Sequence, residues 1–206
     1  MALISDNRQN KVMIFIDLRN VSESVKVIEK SNLFRLDYEN LAVQLVGARE
    51  LVAAYVFDTR KPFGEDDITA RFHDRLRYLG FRVVARESYD PVKKEQKEVD
   101  VAMACEMVVH ALRDNYDIAI VVSGDQDFVP AIQHVQAAGK RVEVAAFGVS
   151  IGKALMKAAD RFHDLDKIPL LSMSNPAEDL SENTPSQMDP PEKDGSKNNE
   201  IIKEVG

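Results

Sequence analysis

Apolar and polar positions fall in blocks along the chain, and the block lengths separate strands from helices. Residues 12–16 form an unbroken apolar run, Val-Met-Ile-Phe-Ile, that stops at Asp17. That is the pattern of a strand buried on both faces. Residues 51–57 form a second run ending at Asp58, and residues 81–85, 118–122 and 142–147 form three more. Amphipathic segments separate them. Asp37 heads a stretch with Leu41, Leu45 and Val46 at helical spacing. Residues 66–79 place Ile68, Phe72, Leu76 and Leu79 on one stripe, and Gly80 supplies a C-terminal stop. Residues 100–112 are apolar nearly all round, which predicts a largely buried helix. Residues 128–138, closed by Gly139, and residues 151–159 predict two further helices. Strands interleaved with helices predict an α/β domain with a mostly parallel sheet.

Composition supports one packed domain and moves its boundary inward. The chain has 206 residues, 45% of them hydrophobic, which is ample for a core. No apolar run approaches the roughly 18 residues of a membrane span, and residues 1–10 lack a secretory signal pattern. They are expected to form a flexible N-terminus. The single cysteine, Cys105, cannot form an internal disulfide and reads as a core residue of its helix. A cytoplasmic location is expected. The net charge of -7 argues against a generic nucleic-acid coat protein. It is unevenly spread. Residues 171–206 carry eight acids and three lysines, with four prolines and no aromatic residue. That composition predicts a disordered acidic tail and leaves residues 11–170 as the domain.

The chemistry lies in where the acids fall. In open parallel sheets ligands bind beyond the carboxyl ends of the strands, near the point where strand order reverses. Asp17 ends the first strand, Asp125 and Asp127 follow the run at 118–122, and Asp100 opens the helix before that run. If those two strands are neighbours, the four carboxylates converge, and a cation must offset their repulsion. Oxygen ligands without cysteine or clustered histidine favour Mg²⁺ or Mn²⁺ over zinc. Each acid also has a plainer reading. Asp125 and Asp100 can cap helices, whereas Asp17, at the end of a buried run, needs a partner. Asn20 can orient Asp17 or cap the next helix. Ser123 can bond phosphate or stabilise its turn. No Gly-rich phosphate fingerprint is present, so a dinucleotide or P-loop site is not expected, nor any small organic cofactor.

Three stretches carry a family resemblance. They are Phe15-Ile16-Asp17-Leu18-Arg19-Asn20, Lys97-Glu98-Val99-Asp100-Val101, and Val122-Ser123-Gly124-Asp125-Gln126-Asp127-Phe128-Val129-Pro130. Together they closely resemble the NYN domain family, and within it the LabA-like branch, relatives of the PIN-domain nucleases. Residues 138–144 and 159–162 add to the agreement, which runs from about Lys11 to Lys167. The resemblance implies a PIN-like, three-layer α/β/α sandwich and a divalent-metal-dependent ribonuclease. Asp17, Asp100, Asp125 and Asp127 would be its catalytic and metal-holding acids, with Asn20 and Ser123 supporting. Two positions depart from the pattern: Leu18 and Glu98 stand where glycine is common. All four acids are kept.

An RNA substrate, taken as single-stranded, would need cations near this acidic centre. Residues 60–97 hold ten Lys and Arg against seven acids, and Lys93, Lys94 and Lys97 lie on the loop delivering Asp100. These three are the expected RNA contacts. Tyr89 is expected to pack that loop. His73, His110, His134 and His163 share no ligand spacing and are expected at surface or partly buried positions; Met103 and Met107 read as core. The rival reading is a non-catalytic LabA-like module that binds RNA or a protein. A small-molecule phosphohydrolase is a second, though Leu18-Arg19 after Asp17 lacks the Asp-x-Asp of haloacid-dehalogenase-type enzymes. A homo-oligomer stays open.

Overall fold

The computed structural model describes residues 10–29, 34–60, 67–87 and 97–173, with backbone alone at 34, 35, 60, 67, 87, 97 and 171–173. Its centre is a six-stranded sheet. The strands are β1 (Lys11–Asp17), β3 (Glu50–Arg60), β4 (Arg82–Glu87), β5 (Ile118–Val122), β6 (Arg141–Ala146) and β7 (Arg161–Asp164). They lie in the order β4-β3-β1-β5-β6-β7, and every pairing is parallel. The chain thus builds outward from β1 through β3 to β4, returns, and builds the other way from β5. The order reverses between β1 and β5, which pair directly from Val12 opposite Ile118 to Ile16 opposite Val122.

Parallel strands need crossovers, and these place helices on both faces. Alternate residues of each strand feed two cores. Val12, Ile14 and Ile16 face α1 (Leu18–Glu29), α2 (Tyr38–Val46) and α3 (Asp67–Tyr78) through Val21, Leu45 and Leu76. Met13 and Phe15 face α4 (Lys97–Leu112), α5 (Val129–Ala137) and α6 (Lys153–Ala158) through Met103, Ile132 and Leu155. The result is the expected α/β/α sandwich. Asp37 caps α2 by accepting from the Asn40 N–H at 2.9 Å, and Gly80, at φ 89°, turns the chain after α3.

Several details differ from the sequence pattern. The sequence suggests a helix after Asn20 only through the reading of that residue as a cap, and α1 begins earlier, at Leu18. The strand β7 and the short antiparallel ribbon of β2 (Phe34–Leu36) with β8 (Leu171–Met173) were not expected. Residues 171–173, placed by composition at the head of the tail, therefore form a strand; residues 1–9 and 174–206 lie outside the described residues. In α3 the buried face is rotated. Leu76 and His73 point inward, while Ile68 and Leu79 are exposed. In α4 only the residues spaced by four, Val99, Met103, Met107 and Ala111, are buried. Val101 and Leu112 face outward, and so does Cys105, which is not a core residue. Its helix is buried along one stripe, because one face of a helix on a sheet remains outside. No described helix is long and apolar enough to cross a membrane.

Candidate active site

Asp17 sits at the carboxyl end of β1, between β3 and β5, and is buried. One carboxylate oxygen accepts the Asn20 N–H at 3.0 Å, which caps α1 from its own strand end. The other accepts the Ser123 hydroxyl at 3.0 Å. The Ser123 Oγ in turn accepts the Asp125 N–H at 3.1 Å. The Asn20 side-chain oxygen accepts the Gly124 N–H at 2.9 Å. These bonds clamp the end of β1 to the turn after β5. Asn20 lies inside α1 and does not cap it; Asp17 does, and Asn20 instead holds the Gly124 turn while its N–H binds Asp17. Ser123 stabilises its turn and binds the Asp17 carboxylate.

Asp125 accepts the Asp127 N–H at 2.9 Å and caps a single 3-10 turn, Gln126–Phe128, that leads into α5. Asp100 lies in the first turn of α4, which begins at Lys97, so it is not the residue that precedes the helix. Its pKa is pushed up to about 7, first by burial and then by the charges of Asp17, Asp125 and Asp127, with Arg19 opposing. Asp17 is also raised by burial, against its bonds from Asn20 and Ser123 and with further pressure from Asp125 and Asp58. The four expected acids therefore share one electrostatic neighbourhood at the reversal point of the sheet. Among the described residues, however, no three Asp, Glu, His or Cys side chains are grouped closely enough to form a ready-made metal site.

One flank of this centre is filled by backbone. The Gly124 carbonyl accepts the Gly152 N–H at 3.0 Å. A Cβ on Gly124 would lie 2.2 Å from the Ser150 carbonyl oxygen, and one on Gly152 would lie 2.2 Å from the Gln126 side chain. Only glycine permits that approach of the two loops. The other flank holds residues that the pattern of acids did not single out. Asp58 continues β3 one residue beyond Phe57, the register partner of Asp17. It accepts the Thr59 N–H at 2.8 Å and pairs with His73 at 2.8 Å. His73 is buried, contrary to the surface or partly buried position expected of it, because this partner satisfies its ring. The signal in the sequence was Asp58 itself, which ends an apolar run just as Asp17 does. Lys93, Lys94 and Tyr89 lie outside the described residues, and of Lys97 only the backbone, opening α4, is described.

A doubly wound parallel sheet with a carboxylate-rich reversal point defines the class, an α/β/α domain of PIN-like architecture. The NYN domain profile matches residues 11–166, and the chain belongs to the NYN domain family. Domains of this family are generally nucleases and generally use divalent metals. Among solved structures the fold is similar to that of a protein of unknown function from Vibrio parahaemolyticus. That match has 24% identity and a TM-score of 0.66, and covers 80% of this chain and 98% of that one. No curated protein matches significantly.

Proposed function

We propose that this domain is a divalent-metal-dependent ribonuclease of the LabA-like branch, hydrolysing RNA phosphodiester bonds at the Asp17 centre. The observation that carries the reading is the gathering of Asp17, Asp100, Asp125 and Asp127 at one point, where Asp100 is raised to about 7 first by burial and then by the charges of the other three. Carboxylates are brought together at such cost where a cation offsets them. The donor set fits Mg²⁺ or Mn²⁺ in kind, being all oxygen with neither cysteine nor histidine among these acids. Asp17, Asp100 and Asp125 would hold the ion, and Asp127 would hold a second ion or orient the attacking water. Bound there, a divalent ion lowers the pKa of water and offsets charge on the phosphate. The protein's own part is positional. Ser123 and the Asn20 amide fix the Asp17 carboxylate, and the Asn20 side chain fixes the turn that bears Asp125.

One observation favours the alternative, a LabA-like module that binds RNA or protein and cuts nothing. Asp17 and Asp125 already serve as local caps, and no described group of side chains forms a closed metal shell. Cleavage of labelled single-stranded and structured RNAs with Mn²⁺, Mg²⁺ or EDTA separates the two. The nuclease reading expects metal-dependent cleavage that falls about 100-fold or more in Asp17→Asn and Asp125→Asn, beyond the 10- to 100-fold typical of residues that only support a metal ligand. RNA binding without cleavage, indifferent to metal, establishes the module instead. Cleavage that survives both substitutions removes the assigned site.

A further inference from the structure

The 148–152 loop packs on the Gly124 turn at the β6 side of the acidic centre, and among the described residues the β3 side is the one that carries a groove. A cavity of about 440 Å³ lies there, between α1 and α3. It falls within the size range of ligand clefts. Its two walls differ in chemistry. On α1, Arg19, Glu23 and Lys26 recur at helical spacing and share one face. Arg19 stands next to the acids, since its charge acts on Asp100. Lys26 is exposed and pairs with Glu23 at 3.4 Å, a solvated pair that costs little to exchange for another anion. On α3, Ile68 and Phe72 present apolar surface, and Ile68 is 72% exposed. Asp58, at the inner end, has its carboxylate engaged by Thr59 and His73.

A wall with two cations and one acid, facing an apolar wall beside a proposed hydrolytic centre, matches one nucleotide of a strand, with phosphate on one side and base on the other. We propose that this cavity is the subsite for the nucleotide flanking the cleaved bond. Arg19 and Lys26 hold its phosphates, and Ile68 packs against its base. The inference rests on the ribonuclease reading and sharpens it. A base seated between two helices has left its pairing partner, so the site selects single-stranded over duplex RNA. It also explains why Ile68, apolar and on the stripe of its helix, stands in solvent.

The test uses the full chain carrying Asp100→Asn, so that bound RNA is not consumed, and reads binding of a fluorescent single-stranded RNA by anisotropy. Lys26→Glu and Ile68→Asp, both at exposed positions, are each expected to weaken binding about tenfold. Arg113→Glu, at the opposite end of the sheet, is expected to leave it unchanged. A duplex of the same sequence is expected to bind at least about tenfold more weakly than the single strand. Equal affinity in the Lys26 and Ile68 variants, equal affinity for the duplex, or no RNA binding at all overturns the subsite. So does displacement of the strand by an equal concentration of nucleoside monophosphate, which would assign the cavity to a small phosphorylated ligand. Cleavage by the unsubstituted chain is scored separately. If it cleaves, and Lys26→Glu and Ile68→Asp leave KM unchanged, the subsite falls and the ribonuclease stands. If it cleaves nothing while the binding pattern holds, the ribonuclease falls and the subsite stands.

Discussion

Ionising Asp100 adds a negative charge beside Asp17, Asp125 and Asp127 on a half-buried helix turn, and the group keeps its proton up to about pH 7. The linkage to stability has a definite sign. A carboxyl raised in the fold above its ordinary 3.8 binds a proton that the unfolded chain has released. Its contribution is therefore complete below about pH 4 and is lost as the pH rises to about 7. Asparagine at this position resembles the protonated acid at every pH. Metal-free Asp100→Asn should accordingly melt about 2–4 °C above the unsubstituted chain at pH 8, the shift that about 1 kcal/mol produces in a protein of this size. The difference should narrow at pH 5 and vanish only at about pH 3.5, below both the folded and the ordinary value. Melting curves at pH 8 and pH 5 check this, and an equal gain at both would mean that packing, not charge, sets the difference. Asp17 does not lend itself to the same experiment. It caps α1 and binds Ser123, so its replacement also loses structural bonds.

At the level of elements, a buried charged cluster ties the sheet to α2. Glu143 of β6 is buried and accepts from the Arg49 guanidinium at 2.9 Å, and its other oxygen pairs with His163 of β7 at 2.7 Å. Arg49 also donates to the Val46 carbonyl at 2.9 Å and to that of Leu45, which satisfies the open end of α2. Burial opposes the charge on Glu143, but the bonds from His163 and Arg49 outweigh it and hold the carboxyl down at about 2. Arg49→Met strands that charge and should cost about 3 kcal/mol in urea unfolding, the lower end for breaking a buried pair. Arg49→Met with Glu143→Leu should recover much of the loss. The unsubstituted chain should lose stability as the pH falls from about 4.5 toward 2, and the double variant should lack that component. A double variant as unstable as the single one would show that capping of α2, not the ion pair, carries the effect. Little of this cluster was legible beforehand. Glu143 sits in a strand read from its apolar neighbours, and its partners are 94 and 20 residues away. The five long sheet strands were legible because their runs are apolar throughout or broken by a single charge, Arg82 or Glu143. The helix α1 was less legible because its apolar stripe is short, Leu18, Val21 and Val25, and a fourth buried position is the polar Ser24. Ser24 is buried there only because its hydroxyl donates to the Asn20 carbonyl at 2.7 Å. The rotated face of α3 was hidden by His73, a polar residue made internal by Asp58. The four aspartates could be read together because each falls at a strand end or helix start, where topology brings residues from distant segments to one edge.

The whole molecule carries a net charge of -7, and eight of its acids lie in residues 171–206, whose net charge is -5. Residues 1–170 are left at -2 while containing four aspartates at one point of the sheet. The acidic balance thus describes a site and a terminal segment more than a surface hostile to RNA. If a divalent ion occupies that site, it binds the folded chain and has no comparable site in the unfolded one. Folding and binding are then linked by mass action. At a concentration one hundred times the dissociation constant the linkage is worth about 2.7 kcal/mol. For a domain of this size that corresponds to about 5–10 °C in the melting midpoint. The gain should be larger at pH 8 than at pH 6, because below about 7 the ion must first displace the Asp100 proton. EDTA should reverse it, and Asp125→Asn should shrink it to a small fraction. Thermal melts of the full chain with Mn²⁺ and with Mg²⁺ at both pH values measure all of this at once. A shift of equal size in Asp125→Asn, or one that does not change between pH 6 and 8, would locate the ion away from this centre. The same four acids would then owe their placement to helix capping and to the β1–β5 clamp alone, and the domain would be left with RNA or protein binding as its work.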